Sequence, residues 1–172
     1  MTDAAPLVGA VAQLHPISAA DVDDLLALRA SSPDALARWN SWTRPDIEDL
    51  LDPEGSDRGW WIVLDGERVG FIQHYQELEP DYRHAGIDIF VVEAAQGRGV
   101  GTDAIRTLAT YLVRELGHHR LIIDPAADNL RAIRCYEKVG FRPVGRMRQY
   151  ERGPDGSFHD GLLMDLLAPE LT

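Results

Sequence analysis

The segment Gln96-Gly97-Arg98-Gly99-Val100-Gly101 constrains this chain more than any other, because of what stands on either side of it. Before it, residues 86–93 carry the run Ile87-Asp88-Ile89-Phe90-Val91-Val92, whose β-branched and aromatic content predicts a strand. After it, Ile105, Leu108, Ala109, Leu112, Val113 and Leu116 recur at helical spacing. That pattern predicts a helix over 102–116, with Gly117 where a C-terminal cap belongs. A helix start leaves backbone N–H groups unpaired and carries partial positive charge. Glycines let that backbone approach an anion closely. The unit therefore predicts an α/β fold that holds a phosphorylated ligand at a helix N-terminus. A Walker loop does not fit, because no lysine stands at the required place. A dinucleotide fingerprint does not fit either. Thr102 occupies the third glycine position, and the strand is not the chain's first.

The remaining elements follow from spacing and turn chemistry. Residues 8–14 read as a first strand, and residues up to about Leu7 as loose chain. Ser18, with Asp21 three residues on, opens a helix; Ser32-Pro33 opens a second and Pro45 a third. Strands are predicted over 60–64 and 69–75 around the Asp65-Gly66 turn. Further strands follow over 121–123, 143–152 and 158–167, the last two joined at Gly153-Pro154-Asp155-Gly156. Asp128 or Ala127 opens a helix that Gly140 ends. The sum is one α/β (α+β) domain over 1–172, with a mixed, mostly antiparallel sheet of about six to seven strands flanked by helices.

Charge narrows the partners. Seventeen Lys and Arg against 28 Asp and Glu give a net charge of −11, which disfavours nucleic acid and anionic membranes and attracts cations; on charge alone it reads first as an aid to solubility, and a cationic ligand needs a specific site. No apolar run approaches the ~20 residues of a membrane span. No secretory signal is visible, and the one cysteine, Cys135, forbids an intrachain disulfide. The expectation is a cytoplasmic monomer or homodimer.

The glycine loop has company. Asp124-Pro125 is followed by Asn129-Leu130-Arg131-Ala132-Ile133-Arg134-Cys135-Tyr136-Glu137-Lys138-Val139-Gly140-Phe141. Gln96, Gly99 and Gly101 match the Gln/Arg-x-x-Gly-x-Gly/Ala loop of GNAT superfamily N-acetyltransferases. The second string closely resembles that superfamily's Asn-x-x-Ala-x-x-x-Tyr-x-Lys-x-Gly-Phe segment. Together with Gly86-Ile87-Asp88, it is most similar to the aminoglycoside 6'-N-acetyltransferases of the Ib-like branch. The resemblance is best over 60–141 and fades toward both ends.

The resemblance implies acetyl-CoA as acyl donor and a primary amine on a cationic small molecule as acceptor. It implies donor contacts from the backbone of Phe90, Val91 and Val92, with one amide near Val92 polarising the thioester. The loop Gln96, Gly97, Arg98, Gly99, Val100, Gly101 and Thr102 would hold the pyrophosphate. Asn129, Ala132 and Tyr136 would meet the pantetheine end. Asp88 would take the acceptor's proton, and Tyr136 would return one to the departing thiolate. Asp88 and Asp124 would bind the acceptor; Asp160, by its position in His159-Asp160-Gly161 and not by the resemblance, would add to the same acidic cleft.

Each residue also has a plainer reading. Asp88 could be a hydrogen-bonded carboxylate at a strand opening, since an unpaired buried one is costly. Tyr136 could be a core tyrosine, Asn129 a helix cap and Asp124 a turn former. Glu77, Glu79 and Asp81 read as a solvated acidic loop. Trp60 and Trp61 read as core, whereas Trp39 and Trp42 could line a sugar site. Cys135 reads as a small buried helix residue, and His118-His119 offer no metal spacing. Other acceptors of the same chemistry are protein amines, polyamines and a siderophore hydroxylamine. A different class is a non-catalytic acyl-CoA sensor or drug-sequestering module, for which neither Asp88 nor Tyr136 is needed.

Overall fold

In the computed structural model, which describes residues 5–39 and 41–172, an eight-stranded sheet spans the molecule. Residues 1–4, part of the stretch expected to be loose, lie outside the described residues. In chain order the strands are β1 (Leu7–Val8), β2 (Gln13–Pro16), β3 (Arg58–Leu64), β4 (Glu67–Glu77), β5 (His84–Val91), β6 (Arg120–Ile123), β7 (Arg142–Arg152) and β8 (Phe158–Leu167). Their order across the sheet is β1-β2-β3-β4-β5-β6-β8-β7, with β5–β6 parallel and the other pairs antiparallel. The helices are α1 (Val22–Ser31), α2 (Pro33–Arg38), α3 (Arg44–Asp49), α4 (Val100–Arg114) and α5 (Leu130–Glu137). No helix among the described residues is long and apolar enough to cross a membrane.

The eighth strand comes from residues 8–14, which do not form one strand. The chain turns at Gly9–Ala12, and β1 folds back on β2 with Leu7 opposite Leu14. The cause lies far along the sequence. Asp103, buried in the first turn of α4, accepts from the N–H groups of Ala10 (3.0 Å), Val11 (2.9 Å) and Ala12 (2.9 Å). Local periodicity carries no trace of that clamp. The helix expected from Asp128 or Ala127 begins instead at Leu130, because the Asn129 side chain caps it by accepting from Ala132 N–H.

Strand alternation sorts the core into two. Trp60, Ile62, Ile72 and Ile87 point to one face and pack under Ile105, Leu108, Ala109 and Leu112 of α4, with Ile133 and Tyr136 of α5 in the same cluster. Trp61, Phe71 and Phe90 point to the other face and meet Val22, Leu25, Ala35, Ile47 and Leu50 of α1, α2 and α3. Trp60 and Trp61 are thus core residues serving opposite faces.

The sheet is open at its centre. β5 and β6 pair only at Ala85–Leu121 and Gly86–Ile122. β6 then ends at Ile123, where Asp124-Pro125 follows and proline has no N–H for a ladder. From Ile87 onward the β6-facing edge of β5 has no strand partner, and the two strands diverge there.

Candidate active site

Two cavities meet at this opening. The first, of about 310 Å³, lies between the end of β5, the glycine loop and α5. Phe90, Val91, Gln96, Gly97, Gly99, Val100, Gly101, Thr102, Asn129, Ala132 and Tyr136, all expected at a donor site, line it. The loop earns its shape from backbone conformation. Gly97 (φ 74°) and Gly99 (φ 82°) are left-handed, and Gly99 is the N-cap of α4, with no side chain capping the helix amides. Gln96 does not reach outward; its amide donates to Val91 O at 2.8 Å and pins the loop to the strand. A helix start without a cap, beside a strand edge without a partner, suits a phosphate-bearing, amide-containing ligand. Lys138, the lysine of the second motif, also lines this cavity, with Arg131 and Arg134, which no motif singled out. Their spacing of three and four along α5 was the available signal that one helix face is basic.

Two expected donor contacts need correction. Val92 N–H is already used, donating to Val69 O at 2.9 Å inside the sheet, and Val92 does not line the cavity. Because N–H groups alternate sides along a strand, the amides that face the opening are those of Ile89 and Val91. Any amide polarising a thioester belongs to them. Arg98 likewise lies off the cavity wall and faces Asp65 at 3.7 Å.

The loop geometry separates its glycines. Gly101 has no left-handed backbone, and a methyl there meets only Cys135 Sγ at 3.6 Å and Val91 Cγ2 at 3.9 Å, both ordinary contacts. Gly99 has open space but a backbone costing an L-residue about 1–2 kcal/mol. Gly99→Ala is therefore expected to lose about 1–2 kcal/mol in urea denaturation, whereas Gly101→Ala loses none. Equal losses would contradict the loop conformation.

The second cavity, of about 370 Å³, opens on the α1–α3 side. Its walls include Trp39 and Trp42, which pack edge-on at 5.1 Å between ring centres, and its charged groups include Asp88, Asp124, Glu151 and Arg38. Ile89 and Tyr136 line both cavities and mark the passage between them. Burial pushes the Asp88 carboxyl up to about 6; Gln73, donating from Nε2 at 3.1 Å, opposes this, and the negative charges of Asp124 and Glu151 add to it. Burial also raises Asp124 and Glu151 above the ordinary carboxylate range. The Tyr136 phenol is buried and shifted upward, so it stays protonated at neutral pH.

Of the other expected site residues, Asp124 lies in this cavity and Asp160 does not. The Asp160 carboxylate is engaged elsewhere, by Arg146 and the Gln149 N–H. Tyr150 and Glu151 line the cavity but carried no sequence signal, because they sit within a strand. Glu77, Glu79 and Asp81 are exposed and off the cavity wall. Cys135 faces the donor cavity beside Thr102 Oγ1 at 3.1 Å; burial raises its thiol, which disfavours the nucleophilic thiolate. No cluster of metal-ligating side chains occurs among the described residues.

Known proteins share these features. Over 106 residues, the chain is 37% identical to the aminoglycoside N(6')-acetyltransferase type 1 of Klebsiella pneumoniae, covering 55% of this chain and 50% of that protein. The chain thus spans about half the length of this curated relative. The fold is that of the Vibrio cholerae spermidine N-acetyltransferase solved with CoA and spermine, at TM-score 0.77 and 19% identity, covering 91% of this chain and 95% of that one. It is also that of Mycobacterium smegmatis RimJ solved with CoA-disulfide, at TM-score 0.81 and 22% identity, covering 97% and 88%. The acetyltransferase (GNAT) family model matches residues 23–141, well over half of the chain, and so the chain belongs to that family, whose acetyl donor is acetyl-CoA.

Proposed function

We propose that the chain transfers an acetyl group from acetyl-CoA to a primary amine of a cationic small molecule, the 6'-amine of an aminoglycoside, by direct attack. The observation that carries this reading is the junction. A tryptophan-walled cavity holding Asp88, Asp124 and Glu151 opens, at Ile89 and Tyr136, onto a cavity suited to the donor. Three carboxylates in one cavity favour an acceptor with more than one ammonium group. The 37% identity to an aminoglycoside N(6')-acetyltransferase supports the same choice.

The donor, when bound, supplies an activated acetyl thioester. The chain's residues do the rest. At neutral pH an amine is mostly ammonium and must lose a proton before it can attack. Asp88, with its carboxyl near 6, is ionised above that pH yet basic enough to accept the proton. Ile89 or Val91 N–H is placed to donate to the carbonyl oxygen as charge builds there. The Tyr136 hydroxyl, its proton held tightly by burial, donates a hydrogen bond to the departing thiolate. Acetyl-CoA as donor and a single cysteine both fit a cytoplasmic setting.

Thiol release from acetyl-CoA, measured across aminoglycosides, polyamines and peptides, tests the proposal. A 6'-amino aminoglycoside is expected to turn over, and its 6'-hydroxyl counterpart is not. Turnover of spermidine but of no aminoglycoside would make the acceptor a polyamine. Tight acetyl-CoA binding without turnover of any amine would make the chain a sensor.

A further inference from the structure

Asp160 lies outside the acceptor cavity, yet it holds two of that cavity's walls. The β7–β8 register passes from Met147–Gly161 to Glu151–His159, so Arg148, Gln149 and Tyr150 stand opposite Asp160 alone. This bulge turns at Gln149, a non-glycine residue at φ 50°. Such backbone persists only where its surroundings hold it. Here Asp160 Oδ1 accepts from Gln149 N–H at 2.8 Å, and Oδ2 accepts from Arg146 Nε at 2.6 Å. The peptide of Asp160 acts on the opposite wall. Its carbonyl accepts from Ala127 N–H at 2.8 Å, and Leu162 N–H donates to Pro125 O at 2.9 Å, stitching the turn after Asp124 to β8. The bulge throws the Tyr150 ring over Gly161, where a Cβ would come within 2.9 Å of it. There Tyr150 and Asp124 line the acceptor cavity together.

We infer that Asp160 is a positioning residue for acceptor recognition: it fixes the bulge so that Tyr150 stays on the cavity wall beside Asp124, and the two together form the acceptor's second contact. This rests on the amine-acetylation reading above. The Asp124 carboxylate beside Tyr150 offers lone pairs to the cavity. It accepts from an ammonium or a hydroxyl and rejects an acceptor that lacks a second donor group. The Tyr150 phenol is pushed up to about 12, chiefly by Asp124, which accords with the nearness of the two groups.

The test is a double-mutant cycle with acceptor and donor kinetics. Tyr150→Phe and Asp160→Ala are each expected to raise the acceptor KM about tenfold, the effect of losing one charge-assisted hydrogen bond, with acetyl-CoA KM unchanged. Combined, they should do no more than Tyr150→Phe alone. Asp160→Asn, whose carbonyl still accepts from Gln149, should recover most of the loss. Gly161→Ala displaces the ring from its other side and should reproduce the acceptor defect, again without effect beside Tyr150→Phe. It carries the test if Asp160→Ala does not fold. Multiplying effects in the double variant, or equal rises in both KM values, overturn the inference. A second readout needs no activity. In 13C-tyrosine NMR, the Tyr150 ζ-carbon, assigned through Tyr150→Phe, should move in Asp160→Ala toward the position of a free phenol. An unmoved signal overturns the positioning role whatever the kinetics. A moving signal in an enzyme that acetylates no amine supports the positioning while refuting acetyl transfer.

Discussion

Asp88→Asn is expected to lower turnover by about two or more decades at neutral pH while the protein stays folded. The asparagine keeps an oxygen for the Gln73 amide but cannot take a proton. Removing the charge relieves the fold. The Asp88 carboxyl is raised to about 6 from its ordinary value near 3.8, so the native state favours its protonated form. Its stabilising contribution is complete below pH ~3.8 and is lost as pH rises through about 6. At pH 7 the variant should therefore melt no lower than the wild type. The pH profile gives a second sign. Wild-type kcat/KM should rise with pH through about 6 as Asp88 ionises; the variant should lose that limb and keep only the rise from the acceptor's own ammonium. Thiol-release rates across pH, with melting curves on the same samples, decide the matter. A near-normal rate at neutral pH removes Asp88 from the mechanism.

The largest effect on stability is expected at Asp103, a residue with no place in the chemistry. Its carboxylate takes three backbone N–H groups of the Gly9–Ala12 turn, and Gly9 must lack a side chain, because a Cβ there would lie 2.2 Å from Asp103 Oδ2. In Asp103→Ala, water can reach Ala10 and Val11, which are exposed, but the N–H of buried Ala12 loses its partner. That loss should cost about 2–3 kcal/mol. For a chain of 172 residues it corresponds to a fall in Tm of roughly 5–10 °C. Differential scanning calorimetry reads it directly. An unchanged Tm would mean that the turn is held by β1–β2 pairing alone.

These two residues mark what could and could not be read from sequence. The donor half was legible because its determinants are local. The glycine loop joins one strand to one helix, and Asn129 to Phe141 is a continuous string. Asp88 stood out as a charge inside an apolar run. What stayed hidden depends on long-range contacts or on broken periodicity. Asp103 looked like any acid in a helix's first turn, although its partners lie some 90 residues away. The bulge at Arg148–Tyr150 breaks the alternation on which strand reading relies. Tyr150 therefore carried no signal, and Asp160 was placed in the acceptor site when its carboxylate faces the bulge. Val92 was misjudged by one position, because only the observed ladder tells which strand amides are spent. Trp39 and Trp42 can be read from sequence as either core or sugar wall; they pack against Phe71 and Phe90 and also line the cavity.

The two cores have a further consequence. The sheet acts as a bulkhead between two cores, which meet at Asp34 of α2, bonded to Gln96 and Arg131. One holds α4 and α5 and with them the machinery for the donor; the other holds α1, α2 and α3, from which Arg38 and Asp46 reach the acceptor. Variation on the acceptor side that spares Ser32 and Asp34 can accumulate without loosening the donor side. A library randomised at Arg38 and Asp46 samples new acceptors on an unaltered chassis.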